Sequence, residues 1–265
     1  MEPSGQLLVE QRGRVLLLTL SDPQTRNALH PGIYRAGIEA INRARDDPRI
    51  GAVVLTGQQG TFSSGGNLNR LIHNREQPRS VQYDSITLFH EWIRAIRHCP
   101  QPVLAAVEGS AAGAGFSLAL ACDLLVAAED ARFVMAYVRV GLSPDGGASL
   151  WLARGLTPHL LAEILLTGKP LSAVRLQQLG VVNRLCVPGQ VLTETLSWAN
   201  SLAAGPGFAM AHIKRLAESA FHPALDTQLE AERAAFLECL YHPQCGEGIT
   251  AFLEKRPPDF GSLEN

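Results

Sequence analysis

Two segments of this 265-residue sequence are built from residues too small to fill a core. They are Phe62-Ser63-Ser64-Gly65-Gly66-Asn67 and Gly109-Ser110-Ala111-Ala112-Gly113-Ala114-Gly115. Small side chains let a ligand approach the main chain, and the start of a helix offers N–H groups without intrahelical acceptors. Two such loops placed together can form an oxyanion hole, where N–H donors face a carbonyl oxygen that becomes negative. The same composition also suits two tight packing turns, because glycine punctuates most α/β chains. A carboxylate capable of proton transfer follows at Asp145, in Gly141-Leu142-Ser143-Pro144-Asp145-Gly146-Gly147, although Pro-Asp-Gly is equally a strong turn sequence. His90 falls in Leu88-Phe89-His90-Glu91-Trp92. It sits about 100° around a helix from Phe89, at the flank of an apolar stripe, where a histidine is most often a surface or rim residue.

Positioning these groups requires alternating strands and helices. Leu7-Leu8-Val9 and Val15 to Leu20 flank the turn-like Gln11-Arg12-Gly13 and read as an opening hairpin. Ile33 to Arg45 has helical spacing, Gly51 to Gly57 is a buried strand, and Gln58 to Asn67 is a polar loop. Tyr83 to Arg97 is amphipathic, with Phe89, Trp92, Ile93 and Ile96 on one side. Val103 to Val107 is a second buried strand, and the small-residue turn after it leads into a helix over Gly115 to Ala121 and a strand over Leu124 to Ala127. Repeated strand–loop–helix units predict an α/β core with parallel strands. From Pro158 the chain reads as mainly helical, with Gly205-Pro206-Gly207 as a hinge before helices over Phe208 to Ala220 and Ala224 to Leu240. Residues 1–200 are therefore expected to form the core and residues 201–265 a helical C-terminal region. Lys214 and Arg215 read as ordinary residues of a surface helix.

Composition narrows the function classes. With 46% hydrophobic and 18% charged residues and a formal charge of −2, the chain can bury a substantial core and lacks the concentrated basic character of a nucleic-acid binder. The five cysteines, Cys99, Cys122, Cys186, Cys239 and Cys245, include no pair spaced like a zinc or redox motif. They read as structural thiols of a reducing compartment. No metal site is expected. Met1 to Gln6 carry no charged-then-apolar pattern, and the longest apolar stretch, Ser117 to Ala128, is interrupted by Asp123. The expectation is a cytoplasmic protein without a membrane span.

The ordered set of motifs resembles the crotonase (enoyl-CoA hydratase/isomerase) superfamily. Pro102 to Gly109, Ala112 to Gly115 and Ala121-Cys122-Asp123 resemble its central signature. Phe62 to Asn67 resembles its first oxyanion loop, with Asn67 where Asp is usual, and Arg26-Asn27-Ala28-Leu29 resembles its CoA-contact segment. Leu166-Thr167-Gly168, Ala173, Gly180-Val181-Val182 and Glu247 to Arg256 match in order, so the resemblance spans essentially the whole chain. It implies a spiral of ββα units with a helical C-terminal region that drives homotrimers, commonly paired into hexamers. It also implies an acyl-CoA thioester as substrate, with coenzyme A as part of that substrate and no separate cofactor. The oxyanion donors would be the N–H groups of Ser64 and Ala114. Arg26, Ala28, Ser63, Gly65, Gly66, Gly113, Phe252 and Lys255 would contact substrate, with Arg256 as a further CoA-phosphate contact.

The resemblance also exposes two losses. Ser117 and Tyr137 stand where hydratases of the family carry their two glutamates, so ordinary two-glutamate hydration is not expected. Asp145 resembles the acid of single-acid enoyl-CoA isomerases and the nucleophile of 4-chlorobenzoyl-CoA dehalogenases, and the latter parallel extends to His90 and Tyr137. Asp145, His90 and Tyr137 are thus the expected catalytic set. The leading expectation is Asp145-mediated proton transfer that shifts a double bond. The alternatives are dehalogenase- or hydrolase-like chemistry with His90 as base, a hydratase or C–C hydrolase assisted by His90, and a non-catalytic acyl-CoA-binding subunit.

Overall fold

A computed structural model describes residues 5–221 and 224–263; the first four residues of the amino-terminal segment considered above lie outside it. Strands β1 (Gln6–Arg12) and β2 (Val15–Ser21) form the expected antiparallel hairpin, in register Arg12 to Val15 and Gln6 to Ser21. Strand β2 is apolar at nearly every position because both of its faces are covered, whereas β1 faces solvent along most of its length. Strands β3 (Ala52–Gly57), β4 (Val103–Val107), β6 (Leu124–Ala128) and β9 (Arg184–Cys186) extend the sheet in parallel, giving the order β1-β2-β3-β4-β6-β9. Continuous runs such as Val103-Leu104-Ala105-Ala106-Val107 are what a strand buried on both faces requires.

A second, small sheet gathers β5 (Ser110–Ala112), β7 (Arg132–Val134) and β8 (Leu171–Ser172). The chain passes from β4 to β5 to helix α4 (Ala114–Ala121), and then from β6 to β7 and onward into helices. Each of these two passes places one strand in the large sheet and one in the small. The mixed α/β fold, with parallel strands in the large sheet and a helical C-terminal region, agrees with the sequence reading. Part of the small-residue stretch expected as a turn is strand β5, because Ser110 to Ala112 pair with Arg132 to Val134.

Helices α1 (Pro31–Asp46) and α3 (Arg79–His98) pack together beside the sheet, and α8 (Val191–Ala203) packs on β3 and β4. Phe89, Trp92, Ile93 and Ile96 form the buried face of α3, as their spacing predicts. Helix α2 (Leu68–Asn74) was not anticipated; Asn67 caps it by accepting from the Arg70 N–H at 3.1 Å. Helices α9 (Gly207–Ser219) and α10 (Leu225–Leu240) lie close to their expected bounds, and α11 (Pro243–Glu254) follows. Lys214 departs from expectation. Its ammonium is buried against the core, reaching Asp123 at 2.7 Å and the carbonyls of Ile96 and Gln101. Among the described residues no helix is long and apolar enough to cross a membrane.

The connection after β2 is held by one side chain. Asn27 sits in the left-handed region (φ 59°), accepts from the Asp22 N–H and donates to the carbonyls of Gln58 and Thr61. Asn tolerates that backbone better than most residues, and each buried partner left unpaired costs about 1–3 kcal/mol. Asn27→Ala is therefore expected to lower unfolding stability by about 3 kcal/mol or more, read as a reduced urea midpoint with an unchanged denaturant slope.

Candidate active site

The first small-residue loop is laced to both of its neighbours. Ser63 N–H donates to Ser110 O, Ala112 N–H donates to Ser63 O, and Ser63 Oγ donates to Asn27 O at 2.8 Å. Leu29 N–H donates to Gly65 O at 2.7 Å, while Ser64 Oγ donates to Thr25 O. The segments carrying Arg26, Ala28, Ser63, Ser64, Gly65, Gly66 and Gly113 therefore converge, as an oxyanion site requires. Gly113 has φ 49° and ψ −124°, a conformation open to glycine, and this turns the chain directly into α4. The first intrahelical bond of α4 runs from Ser117 N–H to Gly113 O, so Ala114 N–H lies ahead of it in the unpaired first turn. Ala114 thus fits a donor role. Ser64 fits less well: its N–H already donates to the Arg26 carbonyl at 2.9 Å, which corrects the expectation of a free amide there.

Opposite this loop pair lies a buried polar chain. Tyr137 stands on a 3-10 helix (Ala136–Val140), and its hydroxyl donates to Asp145 Oδ1 at 2.6 Å. The same hydroxyl lies 2.9 Å from Ser117 Oγ, on the inward face of α4. Burial pushes the Asp145 carboxyl above its ordinary range; the Tyr137 bond, the nearby His90 and its own N–H oppose that rise without cancelling it. Burial, followed by the Asp145 charge, raises the Tyr137 phenol as well, so Tyr137 is a neutral donor. The two positions that lack glutamates are therefore joined to Asp145 by hydrogen bonds.

Asp145 is fixed by the glycines after it. Gly146 has φ 61°, and a side chain there would meet Phe89 and Ser117 at 2.6 and 2.9 Å. Its N–H donates to His90 Nε2 at 3.3 Å, and its carbonyl accepts from Trp151 Nε1 at 3.0 Å. His90 is thus brought beside the carboxyl, half-buried, but its Nε2 lone pair is engaged by the backbone and its ring holds the turn. Helix α5 (Ala148–Gly155) begins immediately afterwards, so the Pro-Asp-Gly sequence is both a turn and the carrier of the buried acid.

Two contributors escaped the sequence reading. Tyr34, buried on α1 with its ring 5.1 Å from that of Phe89, has its phenol raised by burial and then by the Asp145 charge, which places it in the field of the acid. The helical spacing of Ile33 to Arg45 does not single it out. Trp151, whose indole N–H holds the Gly146 carbonyl, has the Arg97 and Arg154 guanidiniums 5.1 and 4.8 Å from its ring and so ties the Asp145 turn to these arginines, both of which meet Glu218 of α9. Phe252 and Lys255 are not brought to this cluster by any contact among the described residues. They lie at the end of α11, with Phe252 83% exposed. Arg256 pairs with Glu247 and Glu254 of its own chain, at 2.7 Å each. No group of three His, Cys, Asp or Glu side chains among the described residues could hold a metal ion.

A family model described as enoyl-CoA hydratase/isomerase matches residues 10–263. The chain is 33% identical over 256 residues to 2,3-dehydroadipyl-CoA hydratase of Escherichia coli K12, covering 97% of this chain and 98% of that one. The crystal structure of an enoyl-CoA hydratase from Polaromonas sp. JS666 superposes with a TM-score of 0.95 at 51% identity, covering 96% of this chain and 99% of that one. The enoyl-CoA hydratase structure from Mycobacterium tuberculosis H37Rv gives 0.85 at 31% identity, over 97% and 98% of the two chains.

A carboxyl whose folded pKa is raised binds more protons in the folded than in the unfolded state. Asp145 therefore costs stability progressively as pH rises from its ordinary value near 3.8 through its raised value, and the cost persists above that. Asp145→Asn removes this cost while keeping an acceptor for Tyr137. The variant is expected to be more stable than wild type at pH 8, with the difference closing by pH 4, as measured by urea unfolding at both pH values.

Proposed function

Because the chain belongs to the enoyl-CoA hydratase/isomerase family, we propose that it moves a proton on an acyl-CoA thioester, with Asp145 as its acid/base residue. One observation carries this reading: a buried carboxyl, raised by desolvation, occupies a glycine-fixed turn beside α4, the helix whose unpaired first turn offers the Ala114 N–H. Tyr137 engages Oδ1, which leaves the other oxygen to accept a proton from the carbon beside the thioester carbonyl, or from its vinylogous position. Negative charge then passes to the thioester oxygen, where Ala114 N–H stabilises it; removing one such donor typically costs about 2.7–4 kcal/mol of barrier. Returning the proton to a different carbon shifts a double bond. A carboxyl raised toward the working pH suits both halves of that exchange.

A second reading, hydration through the same single carboxyl, is favoured by the names of the relatives, which are hydratases. Against it, Ser117 and Tyr137 supply hydroxyls where two-glutamate hydration needs carboxylates. The covalent reading, with His90 activating water, is weakened by the Gly146 N–H that occupies His90 Nε2. A purely binding subunit has no use for a buried acid that reduces stability.

Apolar residues left exposed on α10, α11 and the turn between them, among them Phe236, Leu240, Tyr241, Phe252 and Leu253, support assembly into homotrimers, paired or not into hexamers. In such an assembly Phe252 and Lys255 would meet substrate held by a neighbouring copy. Light scattering should then give three or six times the 28.6 kDa chain mass; a monomeric mass would remove this part of the reading.

The activity is tested by incubating wild type and Asp145→Asn in D₂O with enoyl-, aryl- and haloaryl-CoA thioesters and following the products by mass spectrometry. Wild type should incorporate deuterium or shift the double bond, and the variant should be slower by at least about 100-fold. Undiminished exchange in Asp145→Asn, or no exchange by wild type with any thioester it binds, would overturn the proposal.

A further inference from the structure

Ser117 has one hydroxyl proton and two acceptors within reach. Tyr137 Oη lies 2.9 Å from its Oγ, and the Gly113 carbonyl lies 3.3 Å away, one helical turn back. Ser117 is fully buried, so no water competes for that proton. Tyr137 spends its own proton on Asp145, leaving its oxygen to accept. The negative charge on Asp145 thereby polarises Tyr137 and draws the Ser117 proton toward it, since hydrogen bonds in series strengthen one another. When Asp145 gains a proton, that pull weakens and the Gly113 carbonyl becomes the better acceptor. Gly113 O belongs to the same peptide group as Ala114 N–H. A hydrogen bond accepted by the carbonyl of a delocalised amide withdraws electron density from its nitrogen and makes the N–H a stronger donor.

We propose that Ser117 is a positioning residue that ties the protonation of Asp145 to the oxyanion donor at Ala114, by sharing one hydroxyl proton between Tyr137 and the Gly113 carbonyl. Its catalytic meaning rests on the acyl-CoA reading above. As the substrate proton arrives on Asp145 and charge builds on the thioester oxygen, the Ser117 hydroxyl rotates toward Gly113 and Ala114 N–H is strengthened at the moment it is needed. No O–H bond within the chain breaks; the one transferred proton goes from substrate carbon to the carboxyl. The titratable groups facing this carboxyl from the surrounding elements are His90 on α3, Tyr137 on the 3-10 helix and Tyr34 on α1. Both phenols are pushed upward, so neither ionises in the range over which Asp145 titrates.

The test is difference infrared spectroscopy of a saturated acyl-CoA, ¹³C-labelled at the thioester carbonyl and bound to wild type or Ser117→Ala across the Asp145 titration. In wild type the carbonyl stretch should fall as pH falls and Asp145 protonates. In Ser117→Ala at least half of that pH dependence should be lost, while the affinity for the thioester changes little. Equal pH dependence in the two proteins would overturn the proposal. If wild type binds no thioester, it is the acyl-CoA reading that fails. The coupling is then read on the ligand-free protein from the Gly113–Ala114 peptide by NMR, using ¹³C-carbonyl glycine and ¹⁵N-alanine. Three Gly–Ala pairs, at 51–52, 113–114 and 147–148, give signals. A pH-dependent shift of the 113–114 signal that Ser117→Ala abolishes supports the coupling; a shift that persists in the variant overturns it.

Discussion

Burying a carboxyl in a protein interior costs several kcal/mol unless donors meet it, and the arrangement around Asp145 is organised by that constraint. Tyr137 provides the close donor at 2.6 Å, yet burial still outweighs it, leaving the acid easier to protonate than in water. Holding a group in this state requires a rigid surround. Gly146 is wedged between Phe89 and Ser117, its N–H is held by His90 and its carbonyl by Trp151. The acid is therefore placed by α3, α4 and α5 together, and the loop that carries it has little freedom of its own.

The opposite wall is built by a different means. There the polar groups are main-chain ones, and side chains act as braces: Asn27 across three segments, Ser63 between Asn27 O and Gly65 N–H. Small residues are needed because the strands and loops approach too closely for anything larger; a Cβ on Gly115 would lie 2.6 Å from that of Ser63. The two walls meet at α4, whose first turn supplies Ala114 N–H and whose next turn supplies Ser117. One short helix thus touches both the main-chain wall and the acid.

Much of this was legible in the sequence because it is written locally. Strands β2, β3, β4 and β6 appear as largely apolar runs, α1 and α3 as periodic stripes, and the two cradle loops as clusters of glycine, alanine and serine. Asp145, His90 and Tyr137 could be gathered because the motifs occur in a recognisable order. What escaped notice depends on tertiary distance. Strand β9 is three residues long and paired only through Val126 to Ala128, and α2 has too few turns to show a period. Lys214 looked like a solvated surface charge because nothing near it in sequence announces Asp123, some ninety residues earlier. The Ser64 amide looked free because its acceptor, the Arg26 carbonyl, belongs to another loop. His90 reads from its spacing as a rim residue and from the family resemblance as a base, and neither reading announces the bond it accepts from Gly146 N–H, which lies 56 residues along the chain.

The account depends most on Asp145 and Ala114 addressing opposite ends of one reacting group, and a crystal structure with a bound, unreactive acyl-CoA tests that directly. It predicts the thioester oxygen about 2.7–3.1 Å from Ala114 N and the carbon to be deprotonated about 3–3.5 Å from the Asp145 carboxyl. A thioester seated with its oxygen away from Ala114, or with its acyl chain leaving Asp145 out of reach, would contradict the account.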